Sequence, residues 1–297
     1  MALSRGIEIH VEDRTVSNTA ESFVDRLCQI TANRLSIPRP AIHVSSTALP
    51  VGSGLGSSGA LSVAIAYALS GLAQASMEPD AILRLACQSE RDTGLTGGTQ
   101  DQLASIHGGL GMVRRYNDFG TRSPIAADLA TLGEQLVLVH GVGSRYSGSI
   151  LDNIIRERPR STVTRIIESI NRLSAPVASS LSASDYTQFA SLINEAHELL
   201  RSLHPDIVGD GINAWLRSLG AEAAKPCGAG GPGAVWVTVV HPSKRTTFLT
   251  NISETDWTVL DASPSASGLV ELTSTAPAAA DDGPTPRAAR GANPPPS

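Results

Sequence analysis

Leu49-Pro50-Val51-Gly52-Ser53-Gly54-Leu55-Gly56-Ser57-Ser58-Gly59-Ala60 is the stretch on which the fold turns. It separates a run at 41–48 that reads as a strand from a small-residue apolar run at 61–72 that reads as a helix. Glycines let a backbone turn its N–H groups inward without Cβ clashes. The helix that follows offers free N–H groups and the positive end of its dipole to an anion. Ser57 and Ser58 place hydroxyls where a nucleotide phosphate or its magnesium ion would sit. Glycines alone also make an ordinary tight turn, so the serine pair and the motifs downstream decide for a phosphate cradle.

Two other phosphate loops compete for the segment. Gly54-Leu55-Gly56-Ser57-Ser58-Gly59 satisfies the dinucleotide fingerprint G-x-G-x-x-G. That unit needs a second strand after its helix, ending in an acid about 20 residues on. Here Met77-Glu78-Pro79-Asp80 opens a second helix, with Pro79 suited to its first position and Ile82, Leu83, Leu85 and Ala86 at helical spacing. The Walker loop is excluded because the chain contains no Gly-Lys pair.

The 297 residues suffice for one large or two modest domains. Aromatic residues make up only 4%, so the core must be built from Ala, Leu, Ile and Val. A net charge of −5 without a basic cluster argues against nucleic acid as a partner. Cys28, Cys87 and Cys227 are odd in number and far apart, which argues against a disulfide framework and makes a reducing cytoplasm the expected compartment. No long apolar run points to a membrane, and the histidines lack metal-ligand spacing.

Along the chain, the pattern predicts a strand at 7–11, a helix at 21–35, the strand, loop and helix described above, and helices at 79–92 and 100–107. Strands follow at 110–114 and 135–140. Residues 147–219 read as consecutive helices. A glycine-rich loop at 225–233 feeds a strand at 234–240, and weaker strands at 257–260 and 268–272 complete a sheet. The expected fold is α+β with two lobes and a cleft between them, the two glycine loops facing each other. The lobes are 1–145, carrying the nucleotide site, and 146–272, helical and then strand-rich. Residues 273–297 are Ala- and Pro-rich and are expected to be a disordered tail.

Glu90-Arg91-Asp92 and Gly97-Gly98-Thr99-Gln100-Asp101-Gln102 put one carboxylate at a helix end and another at a helix start, joined by a glycine turn. Phosphoryl transfer uses such a pair: one acid binds magnesium beside the phosphates, and the other orients or deprotonates the attacking hydroxyl. Either acid alone also has a structural reading, Asp101 at a helix start favoured by the dipole and Glu90 on a solvated face.

These three segments, residues 50–60, 90–109 and Gly228-Ala229-Gly230-Gly231-Pro232-Gly233, resemble in order the second, acidic and third motifs of the GHMP kinases. The closest likeness is to the sugar kinase branch typified by D-glycero-D-manno-heptose 7-phosphate kinase. It rests also on His140-Gly141-Val142-Gly143-Ser144-Arg145-Tyr146-Ser147 and on Lys225 ahead of the third motif. The resemblance implies a two-lobed GHMP-kinase-like fold and ATP-dependent phosphorylation of a sugar or sugar-phosphate hydroxyl, foremost the anomeric hydroxyl of a heptose 7-phosphate. It implies roles as well. Pro50, Gly52, Ser53, Gly54, Leu55, Gly56, Ser57 and Ser58 would wrap ATP, Ser58 and Glu90 would hold Mg2+, and Asp101 would be the base. Arg145, Lys225, Gly228, Gly230 and Gly231 would meet the acceptor. A homodimer is compatible with these expectations.

The chain also departs from the family. Pro232 stands where glycine is usual, Thr99 where this branch often has lysine, and nothing before Ile7 supplies the strands and first motif that usually contact the acceptor. The N-terminal lobe is therefore expected to be incomplete. A non-catalytic nucleotide-binding paralogue and a kinase of a cyclitol or another small hydroxylated metabolite are the alternatives.

Overall fold

The computed structural model describes residues 1–4, 6–15, 22–46, 52–95, 97–115, 119–141, 159–209, 211–228, 230–231 and 233–272. In the first half, β1 (Ile7–Thr15) pairs antiparallel with β2 (Pro40–Ser46), with Ile9 opposite Val44. Between them lies α1 (Phe23–Arg34). It starts at a capping box in which the Ser22 hydroxyl accepts from the Asp25 N–H and the Asp25 carboxylate accepts from the Ser22 N–H.

The helix after the glycine loop, α2 (Ser57–Leu72), is buried on two sides. Leu61, Ile65 and Leu69 pack with Leu27, Cys28 and Ala32 of α1. Val63 and Ala66 pack with Ile82, Leu83 and Ala86 of α3 (Pro79–Asp92) and with Leu103 and Ile106 of α4 (Gln100–His107). A helix enclosed in this way needs apolar and small residues on most of its surface, which is the composition at 57–72. The hairpin β3 (Gly111–Arg114) and β4 (Thr121–Pro124) follows, then α5 (Leu129–Gln135) and β5 (Leu136–His140).

The second half begins with the helices α6 (Arg160–Arg172), α7 (Ser174–Ser182), α8 (Tyr186–Leu203), α9 (Pro205–Val208) and α10 (Ile212–Ser218). It continues with β6 (Ala223–Pro226), β7 (Val235–Val239), α11 (Pro242–Ser253) and β8 (Thr258–Leu260). Four strands form an antiparallel sheet in the order β6, β7, β5, β8. One core holds Val137, Val139, Ala224 and Trp236 with Leu216, Phe248 and Ile252. Another holds Leu136, Ala223 and Val239 with Leu132, Leu181 and Phe189. β5 precedes the division at residue 145, yet it is a central strand of this sheet.

A strap at residues 263–269 ties the C-terminal end back to the first half. Ser4 N–H donates to the Ser263 carbonyl, Gly109 N–H to Ser265, and Leu269 N–H to Ile106. This corrects the strand expected at 268–272: Leu269 bonds a carbonyl at the end of α4, not a sheet ladder. Lys225, expected in the glycine loop, sits in the strand β6. The expected α+β architecture is otherwise present.

Candidate active site

Gly52, Gly54 and Gly56 all hold left-handed φ angles, 75°, 80° and 77°, so the loop's shape depends on them. Gly56 is the N-cap of α2 and provides no side-chain cap, so the first N–H groups of the helix, at Ser57 and Ser58, are free of that partner. Ser53 is 1% exposed and its hydroxyl has no hydrogen-bond partner among the described residues, while its carbonyl accepts from the Val235 N–H at 2.9 Å. That bond fastens the loop to the start of β7. Pro50 lies outside the described residues.

The glycine loop meets the third-motif segment directly. A Cβ built on Gly54 would lie 2.5 Å from the Cys227 carbonyl oxygen, and one on Gly228 would lie 2.7 Å from the Gly54 Cα. The Gly230 N–H donates to the Cys227 carbonyl within its own segment, and the Gly231 N–H donates to the Ile207 carbonyl and braces the segment against α9. His140, at the end of β5, bonds the Gly233 carbonyl at 3.1 Å.

Asp101 stands in the first turn of α4, pressed against the same loop. A Cβ on Gly56 would lie 2.9 Å from its Cγ, and one on Gly59 would lie 2.7 Å from its Cβ. Two missing side chains thus let the carboxylate reach the start of α2. Burial of its surroundings pushes the Asp101 carboxyl up, opposed by the nearby amino group of Met1.

Glu90, in the last turn of α3, is 8% exposed and hydrogen-bonded to the Ser58 hydroxyl and the Gln102 amide. Burial pushes its carboxyl up, those two hydrogen bonds pull it down, and the charge of Asp101 adds to the rise. Among the described residues no arginine or lysine forms an ion pair with it. A buried acid without a cationic partner is costly, and it marks a place where a cation can be held.

Lys225 is half-buried on β6, with its ammonium donating to the Pro226 carbonyl at 2.9 Å. Burial pushes its pKa down, and the neighbouring Cys227 thiolate would oppose this. Arg145 lies outside the described residues. Ser58, Glu90, Asp101 and the two glycine loops are therefore together, with Lys225 two residues from the contact at Cys227. Sequence reasoning missed the Gln102–Glu90 bond and the His140–Gly233 contact, both of which depend on tertiary juxtaposition.

Among the described residues no three His, Cys, Asp or Glu side chains gather to hold a metal, and no helix is long and apolar enough to cross a membrane.

Residues 18–109 match the family model described as the GHMP kinases N terminal domain. A mevalonate kinase of Archaeoglobus fulgidus is 30% identical over 206 residues, spanning 68% of this chain and 66% of that relative. Among solved structures, a D-glycero-D-manno-heptose 1-phosphate kinase from Bacteriodes thetaiotaomicron is similar with a TM-score of 0.65 at 20% identity, over 88% of this chain and 84% of that one. The Streptococcus pneumoniae phosphomevalonate kinase in complex with phosphomevalonate and AMPPNP is similar with a TM-score of 0.70 at 15% identity, over 87% and 89%. The chain belongs to the GHMP kinases, a family of ATP-dependent kinases that phosphorylate hydroxyl groups.

Proposed function

We propose that the chain is an ATP-dependent kinase that phosphorylates a hydroxyl of a sugar phosphate, with the anomeric hydroxyl of a heptose 7-phosphate as the foremost acceptor. The observation that carries this reading is the convergence of Asp101 and the Ser58–Glu90 pair on one glycine loop. The N–H groups of Gly52 to Ser58 would bind the phosphates of ATP. Asp101 would take the proton of the acceptor hydroxyl as its oxygen bonds to the γ-phosphorus and the bond to the β-phosphate oxygen breaks, releasing ADP.

Magnesium fits the donor set. Ser58 and Glu90 offer oxygen only, the preference of a hard cation, and Mg2+ in kinases takes its remaining ligands from phosphates and water. The ion would neutralise phosphate charge; the protein's part is to hold that ion and orient the acceptor. Lys225 and Arg145 would meet an anionic group of the acceptor. The chemistry implies a soluble setting supplied with ATP, the cytoplasm.

The Archaeoglobus relative favours a second reading, in which the acceptor is a hydroxy acid such as mevalonate. One experiment separates the two: ADP release measured over a panel of heptose, hexose and cyclitol phosphates together with mevalonate and phosphomevalonate, with product phosphorylation sites assigned by NMR. Turnover of a sugar phosphate alone supports the first reading, and turnover of mevalonate alone overturns it. ATP binding without turnover of any acceptor, in protein whose folding has been verified, would favour a non-catalytic nucleotide-binding protein.

A further inference from the structure

We propose that Gln102 is a positioning residue that holds the Glu90 carboxylate ready for a divalent cation. The inference rests on the reading of Glu90 as the acid that carries the metal. Gln102 follows Asp101 directly in α4 but serves a different face, because successive helical residues point about 100° apart. While Asp101 faces the glycine loop, the Gln102 side chain is 2% exposed and reaches α3, where its Nε2 donates to Glu90 Oε2 at 2.5 Å. One turn of helix thus connects the base to the metal-carrying acid.

Two features argue that this contact is more than packing. A carboxylate oxygen only accepts, so the amide must turn its NH2 toward Glu90. That orientation leaves Gln102 Oε1 buried with no hydrogen-bond partner among the described residues. A methionine of similar shape would remove the unsatisfied carbonyl but leave the buried Glu90 carboxylate without this donor, so what the glutamine supplies here is its N–H to Glu90.

The second feature is charge. An arginine or lysine would hold Glu90 equally well, but it would neutralise the carboxylate and repel a cation. A neutral amide donor fixes the carboxylate and leaves its charge available. Ser58 makes the other hydrogen bond to Glu90 and belongs to the first turn of α2, so the acid is held between the phosphate loop and the helix of the base.

The test compares Gln102→Met, Gln102→Asn and Glu90→Gln with the full-length parent. The binding of a fluorescent ATP analogue is titrated at a series of Mg2+ concentrations, and acceptor KM and kcat are measured separately. Loss of a group that orients a metal ligand is expected to raise the half-saturating Mg2+ concentration by about 10–100-fold in Gln102→Met. Nucleotide affinity at saturating Mg2+ and acceptor KM should stay near the parent's. Gln102→Asn keeps the amide on a shorter stem, should shift the same way by less, and carries the test if the methionine variant does not fold. The double variant Glu90→Gln/Gln102→Met should be no worse than Glu90→Gln alone. Unshifted Mg2+ dependence in both Gln102 variants, with Glu90→Gln shifted, would overturn the role of Gln102. An unshifted Glu90→Gln would instead overturn the metal-site reading on which the inference depends.

Discussion

Gly54 packs against the backbone of Cys227 so closely that a Cβ at Gly54 would fall 2.5 Å from the Cys227 carbonyl oxygen and 2.7 Å from its carbonyl carbon. The glycine loop is therefore seated on the segment that begins at Cys227 by contact between two backbones. The hydrogen bond from Val235 N–H to the Ser53 carbonyl holds the same junction from the other side.

Gly54→Ala should destabilise the protein by about 2–5 kcal/mol. A left-handed alanine costs about 1–2 kcal/mol and overpacking against backbone costs about 1–3. Gly94 separates the two terms: its φ is +91°, but a Cβ there meets nothing within 4 Å. Gly94→Ala should therefore lose only the conformational part, about 1–2 kcal/mol. Urea denaturation of both variants checks the difference, and Gly54→Ala alone should also weaken nucleotide binding.

Asp101→Asn removes the carboxylate wedged between Gly56 and Gly59 while keeping its shape. Turnover at saturating ATP and acceptor should fall by roughly 10² to 10⁴, the range for loss of a positioned base. ATP affinity should change by no more than a few fold. Steady-state kinetics with isothermal titration of a non-hydrolysable ATP analogue reads both quantities, and normal turnover would remove Asp101 from the chemistry.

The fold was legible where one residue class repeats along a helix or a glycine breaks it. Helices 79–92 and 100–107 fall where their apolar spacing and flanking glycines put them. Other elements lacked such signals. The strand Ala223–Pro226 is two alanines, a lysine and a proline, residues that sheets disfavour; among the described residues it stands at the edge of its sheet, paired with β7 alone. The helix Pro242–Ser253 shows little apolar periodicity, because Phe248 and Ile252, one turn apart, supply its buried contacts. β4 is four residues long, too short for an alternating pattern. At the site, Ser58, Glu90 and Asp101 stood out through their motifs. The Gln102–Glu90 bond joins two successive helices and the Gly54–Cys227 contact joins segments distant in the chain, and no local pattern encodes either one.

Lys225→Met should separate stability from function. Burial lowers the lysine's pKa, so the fold disfavours its charged form. For a lysine lowered in this way, the charge carries no penalty above the unfolded pKa, about 10.4, a penalty that grows as pH falls from there toward the folded-state pKa, and a constant one below it. The methionine variant should therefore melt higher than the parent at pH 7, with the gain shrinking toward pH 10. If Lys225 meets an anionic acceptor group, acceptor KM should rise by about 10–100-fold, the equivalent of one hydrogen bond to a charged group, while ATP KM stays nearly unchanged. Melting curves across pH and paired KM measurements test the two halves independently.

The strap at 263–269 offers a test of how the C-terminal segment supports α4, the helix that carries Asp101. Gly268 has no left-handed φ, yet a Cβ there would lie 2.4 Å from the Ile106 carbonyl oxygen and 2.5 Å from the Gly108 nitrogen. Both neighbours are backbone at the end of α4, so rotating a side chain cannot relieve the clash. Gly268→Ala should lift the strap, strain the hydrogen bond from Leu269 to Ile106, and cost about 1–3 kcal/mol. Gly6→Ala is the matched control, since nothing lies within 4 Å of its added Cβ, and it should change stability by less than about 0.5 kcal/mol. Because Asp101 sits at the opposite end of that short helix, Gly268→Ala should also lower kcat more than it raises the nucleotide Kd. Equal melting temperatures for the two alanine variants would show that the strap moves aside freely and does not brace α4.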